Sequence, residues 1–165
     1  MSSCRVTNAN PDGTPDAVRV ALVGCSKAKG QRRAQALTLY TGRIFRAAVD
    51  LTTATHDQTF IVSALHGLVD LEQEVEPYDF TIARYSVEQR IAWGETVVAE
   101  LSKAAGAVPL RVTVLMGESY ARWLRGPLAR RDGWTVSYPL DGIAGIAPRV
   151  QWLRDQLLGA GGLPC

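Results

Sequence analysis

Three cysteines, two histidines and a formal net charge of only +2 are what this 165-residue chain has little of, and each shortage excludes something. Cys4, Cys25 and Cys165 are odd in number and two of them stand near the ends, which argues against a disulfide framework and for a reducing, cytoplasmic setting. No cysteines or histidines have the close spacing of a zinc site, and His56 and His66 make no H-E-x-x-H pattern, so no metal is expected. No apolar run approaches bilayer length, which leaves no membrane partner, and the start of the chain lacks the basic and apolar regions of a secretory signal. The phosphate loop G-x-x-x-x-G-K-[ST] and the dinucleotide fingerprint G-x-G-x-x-G are both missing, so no cofactor is expected either. A charge so near neutrality demands no polyanionic partner. Arg122, Arg125, Arg130 and Arg131 nevertheless fall close together, and read either as a solvated helix face with a basic loop or as a phosphate-contacting patch.

What is present is an ordinary globular mix, 47% apolar and 21% charged, in a length that buries a core without staples. Residues 1–16 read as a loose polar leader, 17–160 as a single α/β domain, and 161–165 as a tail. Strand signals fall at about Val18–Gly24, Gln58–Leu65, Arg111–Met116 and Trp134–Tyr138. Helical spacing covers about Leu37–Ala54, Ser86–Lys103 with Ser86 and Gln89 as a capping box, a stretch from Glu118, and a last stretch with Pro148 in its first turn. Between His66 and Thr81 lies a loop of roughly fifteen residues, a length usually reserved for function or disorder. This order predicts a three-layer α/β/α domain with a mainly parallel sheet of about four strands.

A parallel sheet gathers its ligand groups at the carboxyl ends of its strands. Here those ends carry Cys25, Ser26 and Lys29; Ser63 and His66; Gly117, Glu118 and Ser119; and Tyr138 with Asp141. The C-S-K-A-K turn has free amides and two lysines with which to hold an anion. Cys25 taken alone reads first as a small packed hydrophobe, and as a nucleophile if a neighbour lowers its pKa. Lys29 reads as an imine-forming amine or a general acid, and His66 as an acid or base or as a plain strand-end residue. In Glu76-Pro77-Tyr78-Asp79, Tyr78 can stack on a planar ligand while Asp79 bonds its edge, or the four can make an ordinary turn. Gly117 admits close approach of a ligand, and Glu118 can bind a ribose hydroxyl, bind a base amine or simply favour its helix dipole.

The motifs V-G-C-S-K-A-K, L-Y-T-G-R-I-F, I-V-S-A-L-H-G-L-V-D, E-P-Y-D-F-T, M-G-E-S-Y and P-L-D-G-I-A-G-I follow one another from about Val18 to Leu158. In that order the chain resembles a bacterial and phage family of unknown function, and the likeness adds Tyr40 to the binding candidates. The C-S-x-x-K element, carried by Cys25, Ser26 and Lys29, also resembles the P-C-S-x-x-K-P-Y signature of archaeosine synthase. That enzyme's core is similar to uracil-DNA glycosylases and modifies a 7-deazaguanine base in tRNA. Gly24 stands at the signature's first proline, and Gly30-Gln31 at its Pro-Tyr. A looser likeness in architecture is to YaaA-type, DNA-associated proteins.

These resemblances imply an enzyme acting on a nucleobase, nucleoside or nucleotide, by N-glycosidic cleavage, base exchange or base modification. Lys29, Cys25, His66 and Asp79 would be its catalytic groups, and Ser26, Tyr40, Ser63, Tyr78, Gly117 and Glu118 its binding groups. The alternative is a non-catalytic module for nucleotides or for DNA or RNA, with the arginine cluster on phosphate. A homodimer is compatible with Trp123 and Trp152, which also read as core residues.

Overall fold

The run Val20-Ala21-Leu22-Val23 is buried throughout, as a strand covered on both faces must be, and forms the middle of β1 (Val18–Gly24). The computed structural model describes residues 17–160; the leader and tail, and with them Cys4 and Cys165, lie outside the described residues. The chain continues through β2 (Ala34–Gln35), α1 (Ala36–Leu39), α2 (Arg43–Thr55), β3 (Gln58–Ser63), β4 (Gly67–Asp70) and β5 (Glu74–Val75). A 3-10 turn (Ile82–Arg84) precedes α3 (Val87–Ala105), β6 (Leu110–Leu115), α4 (Glu118–Ala129), β7 (Trp134–Ser137) and α5 (Ile146–Ala160).

The main sheet is five-stranded and mainly parallel, in the order β4-β3-β1-β6-β7. On one side β1 pairs with β3, Val20 opposite Gln58 through Gly24 opposite Val62. On the other it pairs with β6, and β6 in turn with β7, all parallel. These are the four strands expected from the sequence. The fifth, β4, runs antiparallel to β3 and lies inside the segment read as a long loop. Its four residues are too few to show alternation, and it is Gly67, at φ +69°, that lets the chain turn back directly after Ser63. A Cβ at Gly67 would come within 3.0 Å of the Glu100 carboxylate, which accepts from the Leu68 amide at 3.1 Å. Further along that segment β5 pairs antiparallel with β2, and residues 76–81 follow without regular structure.

A single helix over Leu37–Ala54 was the expectation, and there are two. Lys29 and Tyr40 form an antiparallel bridge, with Gly30 N–H donating to Leu39 O at 2.8 Å and Thr41 N–H to Ala28 O at 3.0 Å. Main-chain groups that would continue α1 are spent on the loop after β1, and the helix restarts only past Gly42. Elsewhere local signals match: Ser86 and Gln89 form the capping box of α3, and Gly106 closes that helix at φ +75°.

Alternate residues of the central strands feed two hydrophobic clusters. Val20, Leu22, Val62, Val112 and Val114 pack with Val97, Val98 and Leu101 of α3 and Leu124 and Leu128 of α4. Val23, Ile61 and Leu115 pack with Phe45 and Ala48 of α2 and Val150 and Leu153 of α5. The chain leaving β1 therefore enters the second cluster, and the chain leaving its neighbour β6 enters the first. Such a parting opens a crevice at the strands' carboxyl ends. Trp123 and Trp152 are each half-buried against one of the clusters. Among the described residues no helix is long and apolar enough to cross a membrane.

Helices α3 and α4 meet main chain to main chain. Pro127 lies inside α4 and has no N–H to give the Trp123 carbonyl one turn back. That carbonyl faces Gly94 of α3, where an added Cβ would collide with it. In a helix interior Gly→Ala ordinarily stabilises by up to about 1 kcal/mol. Here the expected sign is the reverse: Gly94→Ala loses about 1–3 kcal/mol through overpacking, seen as a lower urea midpoint at unchanged slope.

His56 closes α2, its ring within hydrogen-bond distance of Thr55 Oγ1 at 2.8 Å and of Thr113 Oγ1 on β6 at 2.9 Å. Burial pushes its pKa down, the Arg19 charge adds to this, and Asp57 opposes it. The unfolded chain thus takes up the proton at higher pH than the folded one. The stabilisation is complete above the ordinary histidine pKa and is lost as pH falls through the depressed folded value. Urea midpoints for wild type are expected to drop between pH 7.5 and 5 more than those for His56→Gln.

Candidate functional site

Gly24 ends β1 where it passes close to β6: a Cβ there would stand 2.7 Å from the Cβ of Met116. The chain then turns through Cys25, whose N–H donates to Val62 O at 3.0 Å, and Ser26. Ser26 Oγ donates to Ala28 O at 2.6 Å and accepts from the Gly42 N–H at 3.1 Å, which folds the turn onto the start of α2. Only glycine fits at 42, since a Cβ would meet that of Ser26 at 2.7 Å. The bridge to Tyr40 then fixes the main chain of Lys29.

Tyr78 is the centre of the cluster. Its hydroxyl lies 2.6 Å from the Tyr40 hydroxyl and 2.7 Å from Ser63 Oγ, which also accepts from the His66 N–H at 3.1 Å. Tyr40 and Ser63 are fully buried. Lys29 Nζ stands 4.4 Å from the centre of the Tyr78 ring and 5.7 Å from that of Tyr40, a cation–π arrangement, and donates to Lys27 O at 3.2 Å. The His66 ring meets the Tyr78 ring edge-on at 5.2 Å. Six residues singled out in the sequence, Cys25, Lys29, Tyr40, Ser63, His66 and Tyr78, are thus brought together from four segments.

Beside them opens a cavity of about 310 Å³ lined by Cys25, Lys29, Asp79, Phe80, Ile82 and Tyr120 among others, at the lower end of the size range for small-ligand sites. Its lining combines charged groups, Lys27, Lys29 and Asp79, with hydroxyls and with apolar and aromatic surface. The Tyr120 hydroxyl accepts from the Ile82 N–H at 3.4 Å, and its ring meets that of Trp93 at 5.9 Å. Trp93 Nε1–H in turn donates to Ser63 O at 3.1 Å, so the cavity's far wall hangs from the end of β3.

Burial pushes the Cys25 thiol pKa up, against weaker effects of an Ala64 backbone hydrogen bond, the Lys29 charge and the Tyr78 hydroxyl. The thiol therefore holds its proton. Burial pushes Lys29 down, opposed by Cys25 and Asp79, so its ammonium gives up a proton more readily than an ordinary lysine's. Burial pushes Tyr40, Tyr78 and Tyr120 up, which keeps all three hydroxyls neutral.

Other sequence candidates fall elsewhere. His66 touches Tyr78 but is not part of the cavity lining. Glu118 is bound by Arg125 at 2.8 Å, and the same guanidinium takes Asp141 at 2.9 Å while lying 4.0 Å from the centre of the Tyr138 ring. Arg130 pairs with Glu95, and Arg131 lies over Trp134. Of the four clustered arginines, then, two are engaged by carboxylates, and Arg122 lies over Trp123. Tyr120, Phe80 and Ile82 were not singled out from the sequence, although M-G-E-S-Y and E-P-Y-D-F-T contain two of them. The one available signal was their place directly after a strand end and after Asp79. Among the described residues no three His, Cys, Asp or Glu side chains are grouped to hold a metal ion.

Residues 20–155 match DUF6884, a family of unknown function, and the chain belongs to that family. No curated protein matches the chain.

The shared Tyr78 hydroxyl is the exchange point of two part-buried hydrogen bonds. Tyr78→Phe strips Tyr40 and Ser63 of a partner at once, and a loss of about 1–3 kcal/mol in unfolding free energy is expected, measured by urea titration. Little change would mean that the two hydroxyls satisfy one another or reach water.

Proposed function

We propose that this DUF6884 member is an enzyme acting on a nucleobase-containing small molecule, with the base held in the cavity beside Lys29. The observation that carries the reading is the presence of one carboxylate, Asp79, and one amine of lowered pKa, Lys29, in the lining of a cavity walled by Phe80, Ile82 and Tyr120. A planar heterocycle with polar edges needs such a mixture: aromatic and aliphatic surface for its faces, and an acceptor and a donor for its rim. The two core clusters on alternate strand residues also favour the three-layer α/β/α arrangement, whose crevice lies at this edge.

N-glycosidic hydrolysis suits these groups best. As the C1′–N bond breaks, its electron pair stays on the base nitrogen, and the Lys29 ammonium supplies the proton that makes the base a neutral leaving group. The Asp79 carboxylate faces the positive charge developing on the sugar. Water adds to C1′ and returns its proton to the Lys29 amine, which restores the starting state. Cys25, with its thiol protonated, acts here as a hydrogen-bond donor and not as a nucleophile. Base exchange or modification uses the same pocket with another acceptor in place of water.

The non-catalytic nucleic-acid module has one observation in its favour, the half-buried Trp123 flanked by Arg90 at 5.8 Å and Arg122 at 4.9 Å, a surface on which a base can stack. The engagement of Arg125 and Arg130 by carboxylates counts against it.

Purified protein incubated with a panel of nucleosides and nucleotides, and followed by product mass, tests the proposal. Wild type is expected to release free base from at least one member. Lys29→Ala and Asp79→Asn are each expected to slow release by about a hundredfold or more. Turnover at the wild-type rate in both variants, or no conversion of any member, overturns it. Steeply salt-dependent binding of single strands without conversion would point to the module.

A further inference from the structure

The Cys25-Ser26-Lys27 turn separates two cavities, not one. On its far side from Asp79 lies a second lobe of about 250 Å³ whose lining includes Lys27, Arg43, Gly42, Gly117 and Met116. The two lobes share the turn and differ in charge. The first has Asp79; the second contains no carboxylate, while Lys27 and Arg43 stand on its rim, both exposed and, among the described residues, neither ion-paired. Gly24, Gly42 and Gly117 bring bare main chain to its lining among apolar side chains such as Phe45, Met116 and Ile146, and nothing lies closer than 4.0 Å to a Cβ at Gly117. A third cavity along the same edge offers Arg125 and Arg149 but balances them with Glu118 and Asp141. The second lobe is therefore where this edge favours an anion.

Building on the proposed base-binding role of the first lobe, we infer that the second lobe holds the phosphate of the same ligand, so that the substrate class is a nucleotide and not a free base or nucleoside. The juxtaposition carries this: one turn, with Lys27 lining both lobes, has on one side a cavity in which a carboxylate accompanies the lysines, and on the other a largely apolar cavity whose charged groups, Lys27 and Arg43, are both cations. A phosphate there gains the two cations and approaches bare backbone closely. Because both cations are exposed, the gain is screened by salt.

The test is binding of common ribo- and deoxyribonucleosides, their 5′-monophosphates and inorganic phosphate to the full chain at low ionic strength, by calorimetry. Wild type is compared with Arg43→Ala, with Lys27→Ala/Arg43→Ala and with Asp79→Asn. At least one monophosphate is expected to bind tenfold or more tighter than its nucleoside, an advantage that shrinks with added salt and in the double variant, while nucleoside affinity in the single variant Arg43→Ala is unchanged. Asp79→Asn is expected to weaken both forms together. Equal binding of monophosphate and nucleoside, or an advantage that survives in the double variant, overturns the inference and leaves the base-binding reading in place. Phosphate bound alone, with no nucleoside or nucleotide binding, overturns the nucleotide assignment and the base-binding reading with it. Silence across the whole panel overturns both as well. Matching thermal transitions of the variants show that folding is not the cause.

Discussion

One phenolic hydroxyl, that of Tyr78, is shared by two buried groups on either side of it, and the site is arranged around that sharing. Ser63 belongs to the end of β3, Tyr40 to the break between α1 and α2, and Tyr78 to the segment that goes on to form the cavity wall. None of these segments is adjacent in sequence to another. Tyr40 and Ser63 are fully buried and Tyr78 partly so, and in low-dielectric surroundings such hydroxyls depend on one another. Lys29 rests on the rings so positioned. Its place above Tyr78 is thus set by the hydrogen bonds underneath.

The electrostatics follow from the same burial. A thiol, an amine and three phenols lie within one small region, and desolvation moves each toward its neutral form. For the thiol and the phenols this means an unreactive, proton-holding state. For the amine it means a more willing acid. Charge of fixed sign is kept at the margins, on Asp79 to one side of the Cys25-Ser26-Lys27 turn and on Arg43 to the other.

What the sequence revealed was whatever local chemistry decides. The buried run of β1, the Ser86–Gln89 capping box, the end of α3 at Gly106 and the strand-end positions of Cys25, Ser63 and Gly117 depend on near neighbours. What it concealed was decided by partners distant in the chain. The break at Tyr40 is imposed by the loop after β1, and β4 is a strand because β3 offers it an edge. Glu118 and Asp141 looked available until Arg125 was seen between them. Tyr120 gave no sign of its own, because its contact with the Ile82 amide crosses from α4 to a 3-10 turn thirty-eight residues away.

The meeting of Gly94 with the Trp123 carbonyl ties two positions on different helices into a single choice. Pro127 withholds the N–H that would normally occupy that carbonyl, and Gly94 supplies the bare Cα that can sit against it. A larger residue at 94 would push α4 away, and with it Tyr120 one turn earlier on the same helix. The bare Cα at 94 therefore sets how closely α4, and the cavity wall it carries, can stand to α3.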